Sequence, residues 1–223
     1  MRIDILTLFP EMFEGFLNTS IIKRAIEKKQ VEINIINFRD YTDDPHGKVD
    51  DTPYGGGAGM VLRVQPIYDA VMDLKKDDTK VILLTPDGVT YNQKLAYDLK
   101  NNEHLIIICG HYEGFDDRIR NIVDLEISIG DYVLTGGEIP AMAITDSITR
   151  LLPGVIMEES HINDSFNLDT HLLDYPTYTK PRDFKGMTVP EVLVNGNHKE
   201  IEEYRRNKQI EKTKERRPDL LDN

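Results

Sequence analysis

The chain of 223 residues holds a single cysteine, Cys109, and no apolar stretch of the length a membrane helix needs, about 18 residues. One cysteine excludes an internal disulfide and fits a reducing cytoplasm. It ends an apolar run, so the thiol reads as buried and inert rather than as a nucleophile. Cations are scarce: 27 Lys and Arg against 39 Asp and Glu leave a net charge of −12, which taken alone argues against a nucleic-acid partner. Familiar phosphate and metal signatures are missing too. The cluster Gly55–Gly59 has Met60 where the last glycine of G-x-G-x-x-G would fall, and no G-x-x-x-x-G-K-[ST] occurs. His46, His104, His111, His161, His171 and His198 form no i,i+4 helical pair and have no cysteine partner suited to zinc. Nucleotide hydrolysis and zinc chemistry are therefore poorly supported. Met1-Arg2-Ile3-Asp4 begins a strand-like alternation at once, so no signal peptide is expected.

Hydrophobic residues at 39% and charged residues at 30% fit a soluble globular protein. The charge is unevenly spread. Between Lys180 and Arg217 lie 11 basic and 7 acidic side chains, a local +4, whereas residues 1–179 carry 16 and 30, or −14. An acidic body with a basic C-terminal part bears on partners. The same pattern also fits a solvated helix face with pairs such as Glu211 and Glu215 beside Lys212 and Lys214.

Periodicity predicts strands over Arg2–Leu8, Val31–Phe38, Lys80–Leu84, Leu105–Cys109 and Leu125–Ile129. Helices are expected from Glu11 to about Lys29, over Gln65–Leu74, Gln93–Lys100, Asp117–Val123 and Glu138–Leu152. Arg39–Gly59 is a long polar loop, the kind that is usually functional or disordered. This alternation implies an α/β fold with a largely parallel sheet. Pro153 to about Asp183 breaks the rhythm and reads as a linker. Val189–Val194 and a polar helix from about His198 to Lys214 then form a small C-terminal unit.

Three strand-end loops stand out: Thr85–Gly88, Gly110–Gly114 and Ile129–Gly137. The last two follow apolar segments directly and carry both glycines and acids, as ligand loops of α/β proteins do. Their backbone can meet a flat polar ligand such as a purine, with Leu84, Ile129 and Leu134 as apolar walls. Glu113, Asp116, Asp131 and Glu138 could suit a cationic cofactor. Asp116 or Asp117 before a helix, and Glu138 in a first turn, are also ordinary cap positions, and capping is the better reading for Asp117 and Glu138.

The motifs PYGGGAGM (Pro53–Met60), CGHYEG (Cys109–Gly114), SIGDYVLTGGEIP (Ser128–Pro140), Arg150-Leu151-Leu152-Pro153-Gly154-Val155, PTYTKPR (Pro176–Arg182) and RRPDL (Arg216–Leu220) follow in one order along the whole chain. On them the sequence resembles the bacterial tRNA (guanine-N1)-methyltransferases of the TrmD type, members of the SPOUT class. The resemblance implies a parallel sheet with a deep trefoil knot over 1–160, a linker over 161–183 and a small, mainly helical tRNA-binding domain over 184–223. It implies an obligate cytoplasmic homodimer with each active site built across the interface. S-adenosylmethionine contacts map onto Leu84, Pro86 and Gly88; onto Gly110, Tyr112, Glu113 and Gly114; and onto Ile129, Gly130, Asp131, Tyr132, Val133, Leu134, Gly136 and Gly137. The general base matches Asp164, in Asn163-Asp164-Ser165-Phe166, and the catalytic arginine matches Arg150. Magnesium comes with the resemblance as a candidate cofactor, although no metal-ligand pattern requires it.

The implied reaction places a methyl group on N1 of the guanine at tRNA position 37. That nitrogen carries a proton at neutral pH, so a carboxylate must remove it. Charge then builds toward guanine O6, where a guanidinium such as Arg150 can stabilise it. Glu113 is the carboxylate suited to the cofactor's positive charge. Between Ser165-Phe166 and Leu172-Leu173-Asp174 the segment Asn167–His171 is about two residues longer than the usual family loop, which makes Asp169 a rival base. A SPOUT-type ribose or ribosomal-RNA methyltransferase, or a non-catalytic RNA-binding module, would use the same pocket without needing the Asp164–Arg150 pairing.

Overall fold

The computed structural model describes residues 1–157 and 164–221. The chain divides into two compact units, Met1–Ile156 and Met157–Asn223.

The first unit is built on five parallel strands: β1 (Arg2–Thr7), β2 (Glu32–Asn37), β5 (Thr79–Thr90), β6 (His104–Ile108) and β7 (Leu125–Ser128). They lie in the order β2-β1-β6-β5-β7, and every neighbouring pair is parallel. Two short strands, β3 (Asp50–Asp51) and β4 (Val61–Leu62), pair antiparallel beside them, so the long polar loop is partly ordered. A parallel sheet is covered on both faces, which explains the unbroken apolar runs in β5 and β6. Alternate residues serve opposite cores. Ile82, Leu105 and Ile107 face one layer with α5 (Glu138–Thr149), while Val81, Leu83, Ile106 and Ile108 face the other with α3 (Val64–Leu74). Between them in the chain, α4 (Gln93–Leu99) is capped by Asn92, whose side chain accepts the Leu95 N–H.

The expected long first helix is broken. A 3-10 turn (Pro10–Phe13) leads into α1 (Glu14–Leu17), and α2 (Ser20–Glu27) starts anew after an extended Thr19. The cause is side-chain competition for the backbone. Asn18 Nδ2 donates to the Glu14 carbonyl at 2.7 Å and Thr19 Oγ1 to the Gly15 carbonyl at 2.6 Å. Asp117–Ile122, expected as a short helix, is a 3-10 turn.

Beneath the sheet lies a buried polar cluster. Asp4 is fully buried and accepts from Arg2, from Asn34 at 2.8 Å and from His104 Nε2 at 2.9 Å; His104 Nδ1 in turn lies 2.7 Å from Thr79 Oγ1. Burial pushes the Asp4 carboxyl up, but these hydrogen bonds and the Arg2 charge outweigh it and hold the group below the usual carboxylate range.

The second unit holds a small hairpin, β8 (Asp183–Phe184) with β9 (Met187–Thr188), a 3-10 turn (Glu191–Leu193) and α6 (His198–Arg216). Asn197 caps α6, its side chain accepting the Glu200 N–H. This helix is polar on nearly every side, and Thr213 is its one buried residue.

Candidate active site

The three glycine-bearing loops converge at the carboxyl ends of β5, β6 and β7, around a cleft of about 470 Å³. Each loop has a distinct local cause. In β5, Leu84 and Val89 both pair with Ile127, so Thr85–Gly88 leaves the ladder as a bulge. Gly88 lets the chain return: a Cβ there would lie 2.4 Å from the Ile127 backbone nitrogen. The loop after β7 crosses the end of β6, where the Gly137 N–H donates to the Gly110 carbonyl at 2.8 Å and Gly136 bridges His111. At Gly137 a Cβ would meet the Cys109 Cα at 2.7 Å, so two main chains touch and no side chain fits between them. The loop after β6 is held from its other side, because Glu113 N–H donates to the Met60 carbonyl and Leu62 N–H to the Gly114 carbonyl.

Of the residues assigned to the cofactor, Leu84, Pro86, Gly110, Tyr112, Glu113, Gly114, Ile129, Gly130, Tyr132, Val133, Leu134, Gly136 and Gly137 line the cleft. Gly88 and Asp131 do not: Gly88 packs against β7, and Asp131 is exposed. Glu113 stands exposed within the lining. Arg150 is half-buried and closes α5, its N–H donating to the Asp146 carbonyl. Asp164 belongs to the second unit, where it is half-buried; Asp169 is exposed.

Two features escape sequence reasoning. Arg120 lines the cleft and gathers carboxylates from three segments: Asp87 of the bulge at 2.6 Å, Asp117 at 2.8 Å, and Glu126 of β7. Of the three, Asp117 stands at i,i+3 spacing from it. The Asp87 carboxyl sits below its usual range, chiefly through the Thr85 hydroxyl and also through Arg120. Glu138, read as a cap, is instead buried at the start of α5, where Thr7 Oγ1 donates to it at 2.7 Å. The cap of the 3-10 turn is Asp116, which accepts the Arg118 N–H, while Asp117 pairs with Arg120. Burial, reinforced by the nearby Glu138 charge, pushes the Cys109 thiol well up.

Strand order reverses between β6, which lies inside β5, and β7, which lies outside it. A parallel sheet with helices on both faces and a glycine-lined cleft at that reversal defines an α/β protein that binds a small molecule. The chain belongs to the tRNA (guanine-1)-methyltransferase family, whose model, described as "tRNA (Guanine-1)-methyltransferase TrmD", matches residues 1–223. Curated proteins named tRNA (guanine-N(1)-)-methyltransferase are similar throughout. The one from Malacoplasma penetrans is 61% identical over 221 residues, 99% of this chain and 97% of its own. Those from Bacillus pumilus and Bacillus cereus are 58% and 57% identical over 227 residues, covering 100% of this chain and 92% of theirs.

Proposed function

We propose that this protein is a methyltransferase that modifies N1 of the guanine at tRNA position 37 with S-adenosylmethionine as methyl donor. The observation that carries the reading is the convergence of three glycine-bearing strand-end loops on one cleft, in a chain matched along its whole length by this family. The cleft suits the donor in size, since small-molecule sites span roughly 300–1,000 Å³. Backbone groups of Gly110, Gly136 and Gly137 border it, and Leu84, Ile129 and Leu134 give it apolar walls.

When bound, S-adenosylmethionine supplies a methyl group made electrophilic by its sulfonium. The protein's own groups do the rest. Asp164 takes the proton from guanine N1. Arg150 stabilises the charge that develops on O6. Glu113 offers a carboxylate to the positive end of the cleft's occupant. The loop crossing at Gly137 and Gly110 is read as part of a deep trefoil knot, and 1–160, 161–183 and 184–223 as catalytic domain, linker and tRNA-binding domain. A homodimer completes each site across the interface; exposed Tyr132, Val133 and Ile139 supply apolar surface for a second copy. No helix among the described residues is long and apolar enough to cross a membrane, and the reaction is assigned to the cytoplasm, where tRNA is found. No group of three or more His, Cys, Asp or Glu among the described residues is placed to hold a metal ion, so magnesium is assigned no residue and no step.

The test is incubation of the purified protein with labelled S-adenosylmethionine and unmodified tRNA, followed by mapping of the label. Label on N1 of guanine 37 is expected. Label on a ribose, label only in ribosomal RNA, or none would overturn the reading.

A further inference from the structure

The segment that carries Asp164 is folded onto α6 by a short chain of hydrogen bonds. Thr213 is fully buried, and its hydroxyl works in both directions: it donates to the Gln209 carbonyl at 2.7 Å and accepts the Leu173 N–H at 3.0 Å. The next residue, Asp174, is held twice. Its carbonyl accepts Lys212 Nζ at 2.8 Å, and its N–H donates to Ser165 Oγ at 2.9 Å. Ser165 directly follows Asp164. The path from the helix to Asp164 therefore runs through two side-chain hydroxyls.

The loop between these ties is closed on itself. Phe166 N–H donates to the Leu172 carbonyl at 3.0 Å and His171 N–H to the Asn167 carbonyl at 2.8 Å. Phe166 and His171 both adopt left-handed backbone angles, φ 64° and 53°, which residues with side chains rarely take unless tied down. Two cations of the C-terminal region cover it from outside. Arg205 lies over the Tyr175 ring at 4.8 Å and Arg217 over Phe166 at 5.7 Å. Of the loop's two backbone hydrogen bonds, the inner joins the ends of Asn167–His171, and the outer joins the residues on either side of it.

We propose that Thr213 is a positioning residue: its hydroxyl, acting through Leu173, Asp174 and Ser165, sets the placement of Asp164 for catalysis. This rests on the reading of Asp164 as the base. It also means that the helix carrying the basic side chains carries the base as well, so that tRNA held by α6 meets a base fixed to that same helix.

The experiment compares full-length Thr213→Val, Thr213→Ser and Ser165→Ala with wild type and Asp164→Asn in single-turnover methylation of tRNA. Thr213→Val keeps the shape and loses both hydrogen bonds. It should lower the rate at saturating tRNA by about 10–100-fold, the cost of a small misplacement of a reacting group. Its affinities for tRNA and S-adenosylmethionine should stay as in wild type, and Leu173 amide exchange should speed up. Thr213→Ser should restore the rate, and Ser165→Ala, which cuts the path at its other end, should copy Thr213→Val. A purely structural role would instead lower the melting temperature and weaken tRNA binding with the saturated rate unchanged. A wild-type rate in Thr213→Val beside a dead Asp164→Asn enzyme overturns the positioning role alone. An active Asp164→Asn enzyme overturns the base assignment, and the positioning role with it.

Discussion

Asp164→Asn keeps the size of the side chain and removes its ability to take a proton. Single-turnover methylation should fall by roughly 10²–10⁴-fold, the usual worth of a positioned base, with S-adenosylmethionine affinity retained in calorimetry. Asp169→Asn should remain active, and a dead Asp169→Asn enzyme beside an active Asp164→Asn one would move the base along the loop. Arg150→Ala should cost on the order of 10²–10³-fold, and the double variant less than the product, because the proposed roles of both residues serve one transition state. Asp4 makes a different claim, about stability. Its carboxyl is held below the usual range in the folded state, so the unfolded chain takes up the proton first as pH falls. The stabilisation is fully present above the ordinary carboxylate pKa and is lost as pH drops through the lower, folded value. Asp4→Asn should cost about 3–5 kcal/mol near neutrality, as breaking a buried charge cluster does. That gap, followed by urea denaturation, should narrow below about pH 4.

At the level of elements, the crossing of the loop after β7 over the end of β6 depends on two main chains in contact. Gly137→Ala places a methyl group 2.7 Å from the Cys109 Cα, and neither backbone can yield cheaply. We expect loss of S-adenosylmethionine binding together with a lower melting temperature; unchanged calorimetry would mean the crossing tolerates separation. On α6, the cations divide by what already holds them. Lys212 is tied to the Asp174 carbonyl, Lys208 pairs with Glu211, and Arg217, just past the helix end, pairs with Asp219. Exposed Arg206 and Arg216 make no such contact among the described residues. Replacing either by alanine should weaken tRNA binding and reduce the slope of log affinity against log salt by about 1, whereas Lys212→Ala should leave that slope in place. Much of this architecture was legible in the sequence. Strands buried on both faces write themselves as apolar runs, and glycine-bearing loops after them mark the cleft. The break at Asn18-Thr19 was hidden because helix periodicity continues across it. The packing role of Gly88, which lets β5 return against β7, was hidden because Ile127 comes near it only when the sheet forms. Arg120 was unreadable because Asp87, its partner, lies far away along the chain and comes near only when the sheet forms.

For the whole molecule, the proposed completion of each site by a second copy has a consequence that single variants cannot reveal. If Asp164 and Arg150 of one site come from different protomers, then mixing Asp164→Asn with Arg150→Ala, each inactive alone, creates dimers with one intact site. After exchange of subunits, about a quarter of wild-type activity should return, since half the dimers are mixed and half their sites intact. No recovery would place both residues in one protomer or the enzyme in a monomeric state. The lone thiol gives a further handle on the assembled protein. Cys109 ends β6 at the crossing loop and is sealed from water, so a thiol reagent can reach it only while the sheet's centre is open. Its labelling half-life is therefore a built-in clock for the rarest opening of the fold, readable without any introduced probe. A ligand that clasps the three loops should slow that clock in proportion to its concentration over its dissociation constant, turning one buried sulfur into a gauge of occupancy at the cleft above it.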